Sequence, residues 1–241
     1  EQGLMKGAGF DHYKVIFPYD LGGTIVAGGI FTSGGNGAGQ GFEPLNTGDL
    51  GLQRGFGEGV AIPAQQYLGL NGTEATGIVL YVYNDMYFVN ASLWGPTHTG
   101  YETPSGLNLG QYLRAAVTPN IGGWDLALGA ALFMGESKIG EAAADTHVVN
   151  GTAVDAQALG QVADMPLAVY LTYGVVPKAG TDGKTYTVAS ATGDKSAASI
   201  AAQLGVIPDR LFLNAGYRMG DNGNTANSKE NALDVGATYK L

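Results

Sequence analysis

The chain contains no cysteine, which removes disulfides, thiolate metal sites and Cys-x-x-Cys-His haem attachment from it. Charge is scarce: 14% of the residues are Asp, Glu, Lys or Arg, against about 25% in an ordinary soluble domain. Bases are scarcer than acids, 12 against 21, and the net charge of −9 argues against nucleic-acid binding through phosphate neutralisation. No apolar run reaches the roughly 18 residues that a transmembrane helix requires. Signs of catalysis are missing too. There is no Gly-x-Ser-x-Gly elbow for a nucleophile. Gly183-Lys184-Thr185 has Lys178 where a phosphate-binding loop needs its first glycine, and the run Gly34–Gly41 does not match Gly-x-Gly-x-x-Gly. Asp221-Asn222-Gly223-Asn224 is a calcium-like fragment without the remaining ligands. The 3 histidines, His12, His98 and His147, fall in or beside polar loops and read as scattered surface groups. No enzymatic activity, metal or cofactor is expected.

Glycine, by contrast, is abundant, with 40 residues where about 7% is usual. The surplus lies inside apolar runs as well as between them, which suits close-packed strands and tight turns better than helices. Near the end of the chain, Leu211, Leu213, Ala215, Tyr217 and Met219 alternate with polar or small residues. After the polar loop Gly220–Lys229, Leu233, Val235, Ala237, Tyr239 and Leu241 do the same. Period-two alternation on both sides of a turn-rich loop predicts a β-hairpin with one apolar and one polar face. Each arm has the roughly 9–11 residues that span a bilayer when tilted.

The pattern recurs along the chain. Strands are expected at Tyr13–Tyr19, Thr24–Thr32, Gly77–Tyr83, Met86–Trp94 and Leu107–Thr118, then from Trp124 to Met134, Val154–Val162 and Leu167–Val175. Ser196–Val206 also alternates and is read as a strand, although its alanines would suit a capped helix. The connections alternate without exception. Short ones are Asp20–Gly23, Asn84–Asp85, Pro119–Gly122, Ala163–Asp164 and Ile207–Asp209. Long ones are Ser33–Thr76, Gly95–Gly106, Gly135–Gly151, Pro177–Lys195 and Gly220–Lys229. A soluble sandwich has no reason to sort its loops in this way. A transmembrane barrel does, with short turns on the periplasmic side and long loops outside. The expected fold is therefore all-β: a transmembrane antiparallel up-and-down barrel in one domain, residues 1–241, with at least about 11–12 strands. An even strand number requires at least one strand before residue 1, so this is expected to be the C-terminal part of a larger barrel, with Glu1–His12 outside. The opening Glu1-Gln2-Gly3-Leu4-Met5-Lys6 has neither an initiator Met nor a signal region, as in a processed or truncated form. Ser33–Thr76 is long enough to remain extracellular or to fold into the lumen, with Phe42, Phe56 and Tyr67 to pack there.

The ending Asp234-Val235-Gly236-Ala237-Thr238-Tyr239-Lys240-Leu241 resembles the β-signal of bacterial outer-membrane proteins, with Leu241 in place of the usual terminal Phe. Gly77–Trp94 and Tyr112–Met134 look like the hairpins of porin-like barrels. The resemblance implies an outer-membrane location, with the lipid bilayer and lipopolysaccharide as surroundings and a homotrimer as a candidate assembly. Some porin-like barrels are fused to, or encoded beside, outer-membrane c-type cytochromes, which makes such a cytochrome a further candidate partner.

On the alternation, Lys14, Tyr112, Arg114, Asp125, Asp155, Gln157, Tyr170, Thr172, Arg210, Asn214, Arg218, Asp234 and Lys240 face inward. A charge facing lipid would cost roughly 2–4 kcal/mol at the midplane, so these groups need a wet or paired interior. They either cross-pair to brace the wall or line a pore and set its field. Acids concentrate instead in the long loops (Glu43, Asp49, Glu58, Glu74, Glu102, Glu136, Glu141, Asp145 and Asp182), where they would suit divalent cations bridging lipopolysaccharide. Three functions follow: a passive channel for small solutes or ions, a structural barrel that sheathes or anchors an electron-transfer cytochrome, or a secreted soluble β-rich adhesin or filament subunit.

Overall fold

The computed structural model describes residues 13–33, 62–70, 75–96, 109–138, 146–148, 150–180, 187–207 and 209–240. Thirteen strands form an antiparallel up-and-down array. They are β1 (Tyr13–Asp20), β2 (Ile25–Ser33), β3 (Ala75–Tyr83), β4 (Tyr87–Pro96), β5 (Gly110–Val117), β6 (Asn120–Ile121), β7 (Trp124–Lys138), β8 (Thr146–Val148), β9 (Gly151–Val162), β10 (Met165–Val176), β11 (Lys195–Ile207), β12 (Leu211–Asp221) and β13 (Ala232–Tyr239). Eleven lie on one path, β1-β2-β3-β4-β5-β7-β9-β10-β11-β12-β13, and the short β6 and β8 each pair with β7. Among the described residues no ladder joins β1 to β13, which stand at the two ends of the path. The only described helix is α1 (Ala64–Tyr67), and no described helix is long and apolar enough to cross a membrane.

The expected alternation of long and short connections holds, and Ser196–Val206 belongs to a strand. Three connections are more structured than anticipated. The segment between β2 and β3 contains α1, because Pro63 starts a single turn in which Leu68 N–H reaches the Ala64 carbonyl (3.0 Å). The connection at Pro119–Gly122 is a small hairpin: Asn120 and Ile121 pair with Asp125 and Trp124. The connection after Met134 is not wholly loop, since β7 continues to Lys138 and pairs there with β8. Local ladders satisfy backbone donors that a bare loop would leave to water.

Because side chains alternate, the register propagates one facing across the whole sheet. The outward set runs Tyr87, Val117, Leu128, Ala156, Leu171, Ile200, Tyr217 and Leu233 along one row of directly paired positions. Phe17, Tyr19, Leu128, Tyr173, Met219, Leu233 and Val235 are among its exposed members. The opposite face is enclosed. Ala27, Phe31, Val79, Tyr81, Phe88, Trp94, Tyr112, Ala116, Ala127, Ala131, Phe133, Ala153, Val176 and Ala197, drawn from β2 to β11, join one core. One face of so wide a sheet becomes a common core only if the sheet rolls on itself. Ala64, Tyr67, Leu68 and Leu70 complete that core from the segment around α1.

Ala163 and Asp164 form a two-residue hairpin loop between Val162 and Met165, with φ of 50° and 62°. The left-handed region suits the twist of the flanking strands but penalises non-glycine residues. Replacing the pair with Asn-Gly is expected to stabilise the fold by about 1 kcal/mol. A higher urea midpoint with an unchanged slope would register this gain.

Candidate functional site

Among the described strands, the enclosed face carries Arg114, Asp155, Lys195, Arg218 and Asp234. Its best-defined feature is an ion pair. Arg114 Nη2 on β5 donates to Asp155 Oδ1 on β9 at 2.8 Å, and the two side chains are 0% and 2% exposed. β7 runs between these strands, and the pair passes over Gly129. A Cβ there would stand 3.0 Å from Arg114 Nη2 and 3.1 Å from Asp155 Oδ1. The glycine therefore leaves room for a bridge across a strand. Arg114 is opposite Asn90 on β4 and Asp155 is opposite Thr172 on β10. Together with Ser92 these make a buried polar tract. Above it, the Tyr112 and Phe133 rings lie 4.7 Å apart.

A second constellation holds the segment around α1 against β10, β11 and β12. Tyr67 inserts its ring between two cations: Lys195 Nζ is 3.9 Å, and Arg218 Cζ 4.1 Å, from the ring centroid. The Tyr67 hydroxyl donates to Glu230 Oε2 (2.9 Å), while Asn222 Nδ2 donates to Glu230 Oε1 (2.6 Å). Arg218 Nη2 donates to the Glu230 carbonyl (3.1 Å). At the front of α1, Ala64 N–H donates to Ser199 Oγ (3.0 Å), and behind it Val188 N–H donates to the Leu68 carbonyl (3.1 Å). Leu68 packs over Gly174, where an added Cβ would come within 2.7 Å of it. Burial, and then the hydrogen bond to Glu230, push the Tyr67 phenol well above its ordinary 10.0. The hydrogen bond from Asn222, and then that from Tyr67, hold the Glu230 carboxyl below its ordinary 4.5. At neutral pH the hydroxyl is thus a donor and the carboxylate an acceptor.

Of the residues assigned inward from sequence, Tyr112, Arg114, Asp155, Thr172, Asn214 and Arg218 are buried on the enclosed face. Gln157 and Tyr170 pair directly on the same face, and Asp234 shares it on β13. Gln203 Nε2 donates to Asn214 Oδ1 (2.8 Å) and Asn214 Nδ2 to Thr238 Oγ1 (3.3 Å), a short polar chain across three strands. Three of the assigned residues sit at the short-turn end, away from both constellations. Asp125 is exposed and accepts from Asn120 Nδ2 (2.7 Å). Arg210 is exposed in the turn before β12, and Lys240 places Nζ 4.9 Å from the Phe212 ring centroid. Lys14 is opposite Phe31 in the ladder, but its side chain lies outside the described residues. The same is true of His12, His98 and the acids Glu43, Asp49, Glu58, Glu74, Glu102, Glu141, Asp145 and Asp182. His147 and Glu136 are placed only by their backbones, in β8 and β7.

Sequence reasoning left out Asn90, Ser92, Ser199, Gln203 and Lys195. The alternation ends the loop Pro177–Lys195 at Lys195, yet this residue belongs to β11 and shares the parity of Ala197, Ser199 and Ala201. Moving the strand boundary by one residue would have found it. Glu230 carried no such signal, since it lies outside any alternating run.

The fold and this face define an antiparallel β-sheet protein with an apolar exterior and a charged, enclosed interior. The chain matches no model of a known protein family, and comparison with curated proteins finds no relative.

Proposed function

We propose that this chain forms the wall of a bacterial outer-membrane barrel and acts as a porin-like channel for small solutes or ions, narrowed by residues 62–70. The observation that carries this reading is the inversion of the two faces. In the ladder, the outward positions carry no charge between Trp124 and Met134 on β7, Thr152 and Val162 on β9, Met165 and Val175 on β10, or Leu211 and Met219 on β12. The charged exception on β12, Asp221, marks its long-loop end. Outward Gln111, Thr152 and Ser196 start their strands at that same end, where an apolar band would give way to headgroups. Exposed Phe17, Tyr19, Tyr87 and Tyr239 stand towards the short-turn end, where an aromatic girdle belongs. In water, an apolar surface of this extent would drive association. In lipid it is the stable arrangement, and the interior is where Arg114, Asp155, Lys195 and Arg218 are tolerated.

One observation favours the structural alternative, a filled barrel that sheathes or anchors a partner such as an electron-carrying cytochrome. Trp94, Tyr81, Asn90 and Arg114 are no more than 2% exposed on the inward face. Planar-bilayer conductance separates the readings. The channel reading expects ion-conducting steps from the purified protein, larger after residues 62–70 are removed, and expects Arg218→Glu to shift ion selectivity. A barrel that stays closed to ions in both forms would leave the structural reading. Extraction without detergent, with a monodisperse protein in plain buffer, would instead point to a soluble adhesin or filament subunit.

A further inference from the structure

We propose that the slot now filled by the Tyr67 ring is a binding site for phenols, and that a phenolic solute frees residues 62–70 by displacing Tyr67. The first argument is that the slot belongs to the wall and not to the segment that fills it. Arg218 and Gly220 are successive inward positions of β12, and Ser196 of β11 pairs with Asp221. Lys195, one residue before Ser196, therefore stands on the long-loop side of Gly220, and Arg218 stands on the other. Between them, a Cβ at Gly220 would lie 3.0 Å from Tyr67 Cζ and 3.2 Å from Cε1. A residue without a side chain leaves the wall open where the ring stands.

The second argument is that the acceptor is held in place without Tyr67. Glu230 N–H donates to the Gly220 carbonyl (3.0 Å), and the Glu230 carbonyl accepts from Arg218 Nη2 (3.1 Å). Asn222 Nδ2 fixes Oε1 (2.6 Å), which leaves Oε2 to the Tyr67 hydroxyl (2.9 Å). The first three contacts involve no residue of 62–70, so a vacated slot keeps its acceptor. Such preorganisation lowers the cost of binding.

The third argument is chemical selectivity. Cations at 3.9 Å and 4.1 Å from the ring centroid require a π face, which an aliphatic alcohol lacks. The Glu230 carboxylate requires a hydroxyl donor and repels an anionic solute. A neutral ring that carries a hydroxyl meets both demands, and Tyr67 supplies such a ring on a tether. A free phenol in the same slot excludes Tyr67, and residues 62–70 then lose that anchor. The effect on conduction rests on the channel reading; the site itself does not.

Tyr67→Ala deletes the phenol group and leaves the wall unchanged, so phenol itself is the probe. Equilibrium dialysis of purified Tyr67→Ala is expected to show one saturable phenol site per chain beyond the background of wild type. Half-saturation is expected on the order of 1 mM for a ligand of so few atoms. Benzene, which cannot donate to Glu230, should bind about 10- to 100-fold more weakly. Adding Lys195→Met and Arg218→Met should weaken phenol binding at least about fivefold. No saturable binding, equal affinity for phenol and benzene, or binding unmoved by loss of the cations overturns the proposal. If these variants do not assemble, wild type decides. Phenol, and not cyclohexanol at the same concentration, should speed proteolysis within residues 62–70; equal acceleration or none overturns the proposal. Planar-bilayer recording reads the gate separately, and phenol should raise the wild-type open probability. A conducting wild type whose open probability ignores phenol overturns the displacement. Phenol binding to a protein that conducts in no form would sink the channel reading alone, and conduction without phenol binding would sink the slot alone.

Discussion

Asp155→Ala should destabilise the protein by about 3–5 kcal/mol, the usual cost of leaving one member of a buried ion pair without its partner. Arg114 is fully buried, and its guanidinium cannot deprotonate to escape the penalty. The double replacement Arg114→Leu with Asp155→Leu should recover most of that loss, because exchanging a buried ion pair for apolar residues of similar volume is often neutral or stabilising. Unfolding in urea, followed in detergent or lipid, supplies both values. If the double variant is no more stable than Asp155→Ala alone, the pair does more than brace the wall. Gly129→Ala gives an independent check, because its methyl group would press on both partners without removing either charge. It is expected to resemble the single variant in direction and to be milder.

Tyr67→Ala should release residues 62–70 from the enclosed face. The substitution removes two cation–π contacts, about 0.5–2 kcal/mol each, and a hydrogen bond to a carboxylate, about 1.5–3 kcal/mol. A net loss on the order of 3 kcal/mol would raise the population of the released state about 100-fold. The measurement is single-channel open probability, with proteolysis within residues 62–70 as a second readout. An unchanged open probability together with unchanged protection would mean that Tyr67 does not hold the segment.

The pH dependence follows from the two groups at the contact. The Glu230 carboxyl is depressed, so its contribution is present above the ordinary carboxylate value of 4.5 and is lost as pH falls through the lower folded value. The Tyr67 phenol is raised, so its contribution is present below the ordinary 10.0 and is lost only as pH rises through the higher folded value. The latch should therefore hold across neutral and mildly acidic solution and weaken only at the extremes. Glu230→Gln keeps a hydrogen-bond acceptor and removes the acid transition, and a loss of acid-induced opening in this variant identifies the titrating group.

Much of the sheet was legible before any coordinates. β10 reads directly from Leu167, Val169, Leu171, Tyr173 and Val175, and β12 from Leu211 to Met219, because a half-buried strand writes its facing into every second residue. The inward assignments of Arg114, Asp155, Thr172 and Arg218 come from the same rule. β6, β8 and α1 were not legible. Two- and three-residue strands hold too little alternation to detect, and α1 owes its place to contacts with β10, β11 and β12 rather than to propensity. Lys195 was missed by a strand boundary, the least certain part of any alternating pattern.

The sequence by itself determined the eleven strands of the main path, their order of short and long connections, and which of their side chains share a face, because each is a local consequence of period-two geometry and turn chemistry. Only the tertiary structure decided which polar residues meet. That Arg114 reaches Asp155 across Gly129, and that Tyr67 enters between Lys195 and Arg218 to meet Glu230, depends on register and on how the sheet rolls. Those arrangements bring together residues 41 to 163 positions apart, and no local pattern records a contact at such separation.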